Sequence, residues 1–268
     1  MNKFKFKKKY GQNFLKDNNV INKINDSINT KPDDLIIEIG PGGGALTKKL
    51  LKKGSQLIAF EIDEDAHMYL DKLVSEKTTI VYEDILTTNL PKHLSNYNYD
   101  KLYIVGNLPY YITTVILEKI IKSNINPESI TIMVQKEVAQ RFTAKPHNKE
   151  YGYMTVLLNY FYNIKKVCDV SRLCFYPIPD VDSAVIQLIK KNNKADVSFL
   201  EFDSFIKEAF RFKRKKLINN IQSIDKEKVL EVLTKRGYTS EARAEEIDLE
   251  TFIELLKKKG DLCETERY

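Results

Sequence analysis

Apolar positions fall along the chain in two rhythms. Short unbroken runs, Leu35-Ile36-Ile37-Glu38-Ile39, Gln56-Leu57-Ile58-Ala59-Phe60-Glu61, Thr79-Ile80-Val81-Tyr82-Glu83-Asp84 and Lys101-Leu102-Tyr103-Ile104-Val105-Gly106, read as strands buried on both faces of a parallel sheet. Between and around them apolar residues are spaced for helices: Val20, Ile21, Ile24 and Ile28 share one helical face, and further helices are predicted over 45–53 and 112–121. A strand over 129–134, a helix over 137–144, a mixed helix-then-strand over 153–170 and a last strand over 183–189 complete the series. Alternation of this kind predicts an α/β fold. Lys190-Lys191-Asn192-Asn193-Lys194 is polar and unpatterned, which sets a domain boundary there, with a first domain over 1–191. Beyond it Phe202, Phe205, Ile206, Ala209 and Phe210 recur at helical spacing, Asp225 and Asp248 look like caps, and Gly237 and Gly260 like stops, so 192–268 is predicted as a small all-helical domain.

The first of these strands runs into Gly40-Pro41-Gly42-Gly43-Gly44 and then directly into a helix. A strand, a glycine-dense loop and a helix start make a nucleotide-binding turn, because glycine lets backbone approach a ligand. The dinucleotide fingerprint is G-x-G-x-x-G, whereas here the spacing is Glu38-x-Gly40-x-Gly42-x-Gly44, the variant associated with S-adenosylmethionine, and no Gly-Lys-Ser/Thr ending marks a phosphate loop. The next strand ends in Glu61, where a ribose-hydroxyl acceptor belongs, and the third in Asp84, which could accept from the cofactor's adenine amine. Either acid could instead be a cap or a surface charge.

The fourth strand stops at Asn107-Leu108-Pro109-Tyr110, because Pro109 cannot donate to a ladder and biases Leu108 towards extended backbone. An amide, a freed carbonyl and an aromatic ring are then displayed at a strand's carboxyl end, where ligands bind in open parallel sheets. These groups suit methylation of a base's exocyclic amine. Its lone pair is delocalised into the ring. Two acceptors, the Asn107 Oδ1 and the Leu108 carbonyl, could hold the two amine hydrogens and favour a pyramidal nitrogen, while Tyr110 stacks on the extruded base. The bland alternative is a strand ending in an ordinary proline turn.

Charge sharpens this picture. The 268 residues carry 43 Lys and Arg against 37 Asp and Glu, a net +6, with Lys3, Lys5, Lys7, Lys8 and Lys9 crowded at the start and Arg211, Lys213, Arg214, Lys215 and Lys216 crowded later. Clustered cations with interleaved Phe4, Phe6, Tyr10 and Phe212 favour a polyanion partner, although such runs are often only solvated faces. Cys168, Cys174 and Cys263 form no C-x-x-C pair or even set and point to a reducing compartment. His67, His93 and His147 lack ligand spacing, so no metal is expected, and no apolar stretch is long enough for a bilayer. Gln12 and Asn13 stand ahead of the first helix, where they could reach a ligand or cap it.

Gly11-Gln12-Asn13-Phe14-Leu15, the Glu38 to Thr47 segment, Asn107-Leu108-Pro109-Tyr110, Gln135-Lys136-Glu137-Val138-Ala139, Tyr151-Gly152 and Pro177-x-Pro179-x-Val181-Asp182-Ser183-Ala184-Val185 together resemble the small-subunit ribosomal RNA adenine dimethyltransferases, over essentially the whole chain. The resemblance implies a Rossmann-like methyltransferase sheet, mostly parallel with an antiparallel edge hairpin. It implies S-adenosylmethionine contacts at Asn13, Leu15, Gly40, Glu61, Asp84 and Asn107, and a target-base pocket of Asn107, Leu108, Tyr110 and Phe175, with Phe175 as second stacking face. It further implies dimethylation of two adjacent adenosines near the 3′ end of small-subunit ribosomal RNA, on the RNA or the pre-small subunit, by a cytoplasmic monomer with no membrane partner. Val115, Cys174 and Lys216 depart from the family pattern and bear on substrate fit. A large-subunit methyltransferase of antibiotic-resistance type, or an assembly or transcription binding factor, are the rival readings.

Overall fold

The computed structural model describes residues 13–192, 197 and 199–260. The basic arm, Gly11-Gln12 and Cys263 lie outside them. Contacts divide the chain into two compact units: the chain up to Ala139 together with Ile164–Lys190, and Gln140–Asn163 together with the chain from Lys191 on. The second unit thus takes in 140–163, a segment that the sequence pattern assigns to the first domain.

The described strands are β1 (Phe14–Leu15), β2 (Leu35–Ile39), β3 (Gln56–Phe60), β4 (Thr78–Val81), β5 (Leu102–Asn107), β6 (Ser129–Gln135), β7 (Tyr162–Val170), β8 (Phe175–Tyr176) and β9 (Ser183–Lys190). Seven of them form one sheet in the order β4-β3-β2-β5-β6-β9-β7. From β4 to β6 every pairing is parallel, and β9 then runs antiparallel to β6, with Ser183 opposite Gln135. This is the expected mostly parallel sheet with an antiparallel edge. Every residue of β2 is buried, as a central strand covered on both faces must be.

Two close approaches hold the strand ends together. A Cβ on Gly106 would lie 2.8 Å from the Ile39 carbonyl oxygen, so only glycine lets β5 run this close to β2 just before Asn107. Gly42, at φ +54, would put a Cβ 2.4 Å from the Phe14 ring, which therefore sits directly over the glycine loop. The helix after that loop is shorter than its apolar pattern suggests: Thr47–Leu50 passes into a 3₁₀ turn over Leu51–Lys53 that Gly54 ends at φ 78. The first helix, Asn18–Asp26, is capped by Asp17, whose carboxylate accepts from the Asn19 and Val20 N–H groups, so Asn13 is not its cap.

β1 and β8 form a separate two-stranded antiparallel sheet, Phe14 opposite Tyr176 and Leu15 opposite Phe175. In the second unit the 140–163 segment is held by aromatic packing, with Tyr160 stacked on Phe202 at 3.9 Å between centroids. Polar groups add to it: the Tyr151 hydroxyl donates to the Ile247 carbonyl at 2.9 Å, and the Tyr153 hydroxyl donates to Asp203. Asp248 accepts from the Thr251 N–H at 2.7 Å as a helix cap should, whereas the Asp225 side chain makes no capping bond to its helix.

Candidate active site

Gly40, Glu61, Asp84 and Asn107 stand just at or beyond the carboxyl ends of β2, β3, β4 and β5, and all four line one cleft. Asn13, Leu108 and Tyr110 line it too. With its open mouth, and counting the solvent space there, the cleft spans about 830 Å³. Leu15 faces a neighbouring cavity that shares Phe14, Gly40 and Asn107 with the cleft.

Glu61 is the most constrained of the acids. Its two oxygens accept the Gly42 and Asp63 N–H groups, each at 2.9 Å, while burial pushes its carboxyl above the ordinary value. The carboxyl thereby ties the glycine loop to the end of β3, and with Ile62 as a further backbone donor it keeps lone-pair capacity for another donor. Asp84 is half-buried and its Oδ1 accepts the Leu86 N–H at 2.9 Å, so that oxygen holds a turn and caps no helix, and the carboxylate still borders the cleft. Glu38 is wholly buried beside the same loop. Burial raises its carboxyl to about 8, with Thr47 pulling the other way and the nearby Glu61 adding to the rise, and Oε2 has no hydrogen-bond partner.

Asn107 shows how an amide can be aimed. Its Nδ2 donates to the Asn13 carbonyl at 2.8 Å, and Asn13 belongs to the segment that β1 and β8 hold in place. With the donor end engaged, Oδ1 is left as the acceptor end of the amide. Leu108 is buried, at 1 % exposure, as its apolar side chain anchors the turn. The Tyr110 hydroxyl hydrogen-bonds to the Ser183 Oγ at 2.6 Å, where β9 begins, and burial raises its phenol so that it stays neutral. Thr113 Oγ1 donates to the Pro109 carbonyl at 3.2 Å, closing the turn onto the next helix.

Phe175 departs from the site expected for it. It is 2 % exposed, packed with Val20, Ile24, Met133, Val170 and Val185, and lines neither cavity. In a two-residue strand alternate side chains point to opposite faces, and the face given to Phe175 is the core. Sequence reasoning overlooks Phe14 and Ile62 as lining residues. Phe14 directly follows Asn13 and Ile62 directly follows Glu61, so adjacency to those residues is the only sequence signal for either. Among the described residues no group of three or more His, Cys, Asp or Glu side chains is placed to hold a metal, and no helix is long and apolar enough to cross a membrane.

Comparison with known proteins bears on this geometry. The family model described as Ribosomal RNA adenine dimethylase matches residues 3–260. The chain is 43% identical over 251 residues to "Ribosomal RNA small subunit methyltransferase A" of Mycoplasmopsis pulmonis, covering 93% of this chain and 97% of that one. It is 40% identical over 258 residues to the protein of the same name from Aster yellows witches'-broom phytoplasma, covering 94% and 95%. Among solved structures, a dimethyladenosine transferase from Plasmodium falciparum superposes with a TM-score of 0.78 at 27% identity, covering 92% of this chain and 98% of that one. The 23S rRNA methyltransferase ErmE gives 0.72 at 24% identity, covering 92% and 100%, a likeness of fold alone.

Proposed function

The chain belongs to the ribosomal RNA adenine dimethylase family, and from that premise we propose that it uses S-adenosylmethionine to dimethylate N6 of two adjacent adenosines near the 3′ end of small-subunit ribosomal RNA. The observation that carries this reading is the Asn107 amide, fixed at its donor end by the Asn13 carbonyl so that Oδ1 can accept.

The cleft suits the donor. Glu61, tied to the Gly42 N–H, would offer its remaining lone pairs to ribose hydroxyls, and Asp84, which borders the cleft, would accept from an adenine amine. Asn13, Leu15, Gly40 and Asn107 would line the rest of the donor's path. Bound there, the donor supplies an electrophilic methyl carbon on a sulfonium.

The protein's own work concerns the target nitrogen. Asn107 Oδ1 and the Leu108 carbonyl accept the two N6 hydrogens and draw the lone pair out of ring conjugation. Tyr110, its hydroxyl bonded to Ser183, presents a ring for the extruded base. The proton on N6 leaves only after the methyl arrives, so no side chain need act as base. Once one methyl is in place a single N–H remains and one of the two acceptors loses its partner. The second transfer is therefore held by fewer bonds than the first. Phe175 would serve as the opposite stacking face only by leaving its packed position.

Relatives named for the small subunit, at 43% and 40% identity, favour that RNA over the large-subunit alternative. A monomer acting on the pre-small subunit in the cytoplasm is the setting this reading takes. The test is to incubate the protein with labelled donor and unmodified small and large subunits and to map modified bases. Label confined to two adjacent adenosines of the small-subunit RNA is expected; label on the large-subunit RNA, or none, overturns the reading. Binding without transfer is the outcome that an assembly factor would give.

A further inference from the structure

The segment between β7 and β9 exposes apolar surface that the chemistry above does not use. Leu173, Tyr176 and Ile178 are 73%, 49% and 55% exposed. The alternation that buries Phe175 turns Tyr176 outward. Pairing of β1 with β8 then brings a cation to it: the Lys16 N–H donates to the Cys174 carbonyl at 2.9 Å, and Lys16 Nζ lies 3.9 Å from the centroid of the Tyr176 ring. Lys16 and Tyr176 wall the cavity beside the cleft, which with its mouth holds about 920 Å³ of space, and Asn107 belongs to the lining of both. An exposed ring backed by an ammonium, sharing a wall with the residue that handles the target amine, has the features of a single-stranded nucleotide platform.

We propose that Tyr176 and Lys16 form a subsite for the nucleotide adjacent to the target adenosine, the base stacking on the Tyr176 ring and its phosphate meeting the Lys16 ammonium. The inference rests on the proposed function and deepens it. A base drawn into the cleft brings its chain neighbour along, and when two adjacent adenosines are both substrates each must be accommodated while the other reacts. A flat π surface accepts either neighbour without base-specific hydrogen bonds. The cation supplies charge for the connecting phosphate.

Steady-state transfer to unmodified small-subunit particles tests this, with the full chain and the variants Tyr176→Ala, Tyr176→Leu, Tyr176→Phe and Lys16→Ala. Loss of the ring in Tyr176→Ala, and equally in Tyr176→Leu, which keeps apolar bulk should the smaller side chain impair folding, is expected to raise KM for particles roughly tenfold. KM for the donor and kcat should hold, and Tyr176→Phe should restore the wild-type value. Lys16→Ala is expected to raise KM for particles and to flatten its dependence on salt. A wild-type KM for particles in both ring-less variants overturns the subsite, and so does a rise in donor KM in its place, which would give Lys16 and Tyr176 to the donor along with Leu15 and Gly40 of the same cavity. If the wild-type protein transfers no methyl to particles at all, the underlying reading of function fails as well, so the two failures are told apart.

Discussion

In the mechanism proposed, Asn107 acts through the orientation of its side chain more than through its polarity. An aspartate there would set a carboxylate oxygen against the Asn13 carbonyl in place of the 2.8 Å hydrogen bond, so Asn107→Asp is expected to lose transfer even though it keeps an acceptor. Glu61→Ala leaves the Gly42 and Asp63 N–H groups buried without their acceptor, a cost of about 1–3 kcal/mol for each unpaired group. Donor affinity measured by calorimetry should fall at least tenfold, and thermal stability should fall with it. Glu38 gives a pH dependence whose sign can be worked out. In the unfolded chain its carboxyl ionises near 4.5, but burial keeps it protonated in the folded chain up to about 8. The stability it contributes is whole below 4.5 and is lost as pH rises through that window to about 8. Glu61 is shifted the same way, so the difference between wild type and Glu38→Gln reports Glu38 together with its coupling to Glu61. Their melting temperatures should diverge across that range, the wild type falling below the variant; parallel curves would contradict the assignment.

Strands show most clearly what the sequence discloses. A run predicted over 101–106 is observed as Leu102–Asn107, and one over 129–134 as Ser129–Gln135, because strands buried on both faces leave an uninterrupted apolar signature. β1 and β8 leave none: two residues have no periodicity, and their pairing is set by tertiary contacts. For that reason the placement of Asn13, Leu15, Lys16 and Tyr176 was only partly readable, and the burial of Phe175 not at all. Gly106 marks a contact that no pattern reveals. Gly106→Ala would place a methyl 2.8 Å from the Ile39 carbonyl oxygen, so β2 and β5 would have to separate. Overpacking of this kind costs about 1–3 kcal/mol, and a thermal melt should show it as a lowered midpoint together with reduced transfer, since Asn107 follows directly.

Across the whole chain, the polar run Lys190-Lys191-Asn192-Asn193-Lys194 interrupts the apolar pattern, but nothing in that pattern marks the grouping of 140–163 with the later unit. Met154, Val156 and Leu157 are buried there and Tyr160 stacks on Phe202, and pairings between segments so far apart leave no local trace. A chain ending at Lys190 would keep this segment and lose its partners, so it is expected to aggregate or to melt without a cooperative transition; a sharp, reversible melt would show that 140–163 can pack without them. In the mechanism proposed, the whole arrangement serves the aiming of one amide at one amine. The most direct test is the initial rate of methyl transfer to unmodified small-subunit particles by Asn107→Ala at saturating donor. Loss of one preorganised hydrogen bond of this kind should lower the rate by about a hundredfold or more; a rate within threefold of wild type would contradict the account.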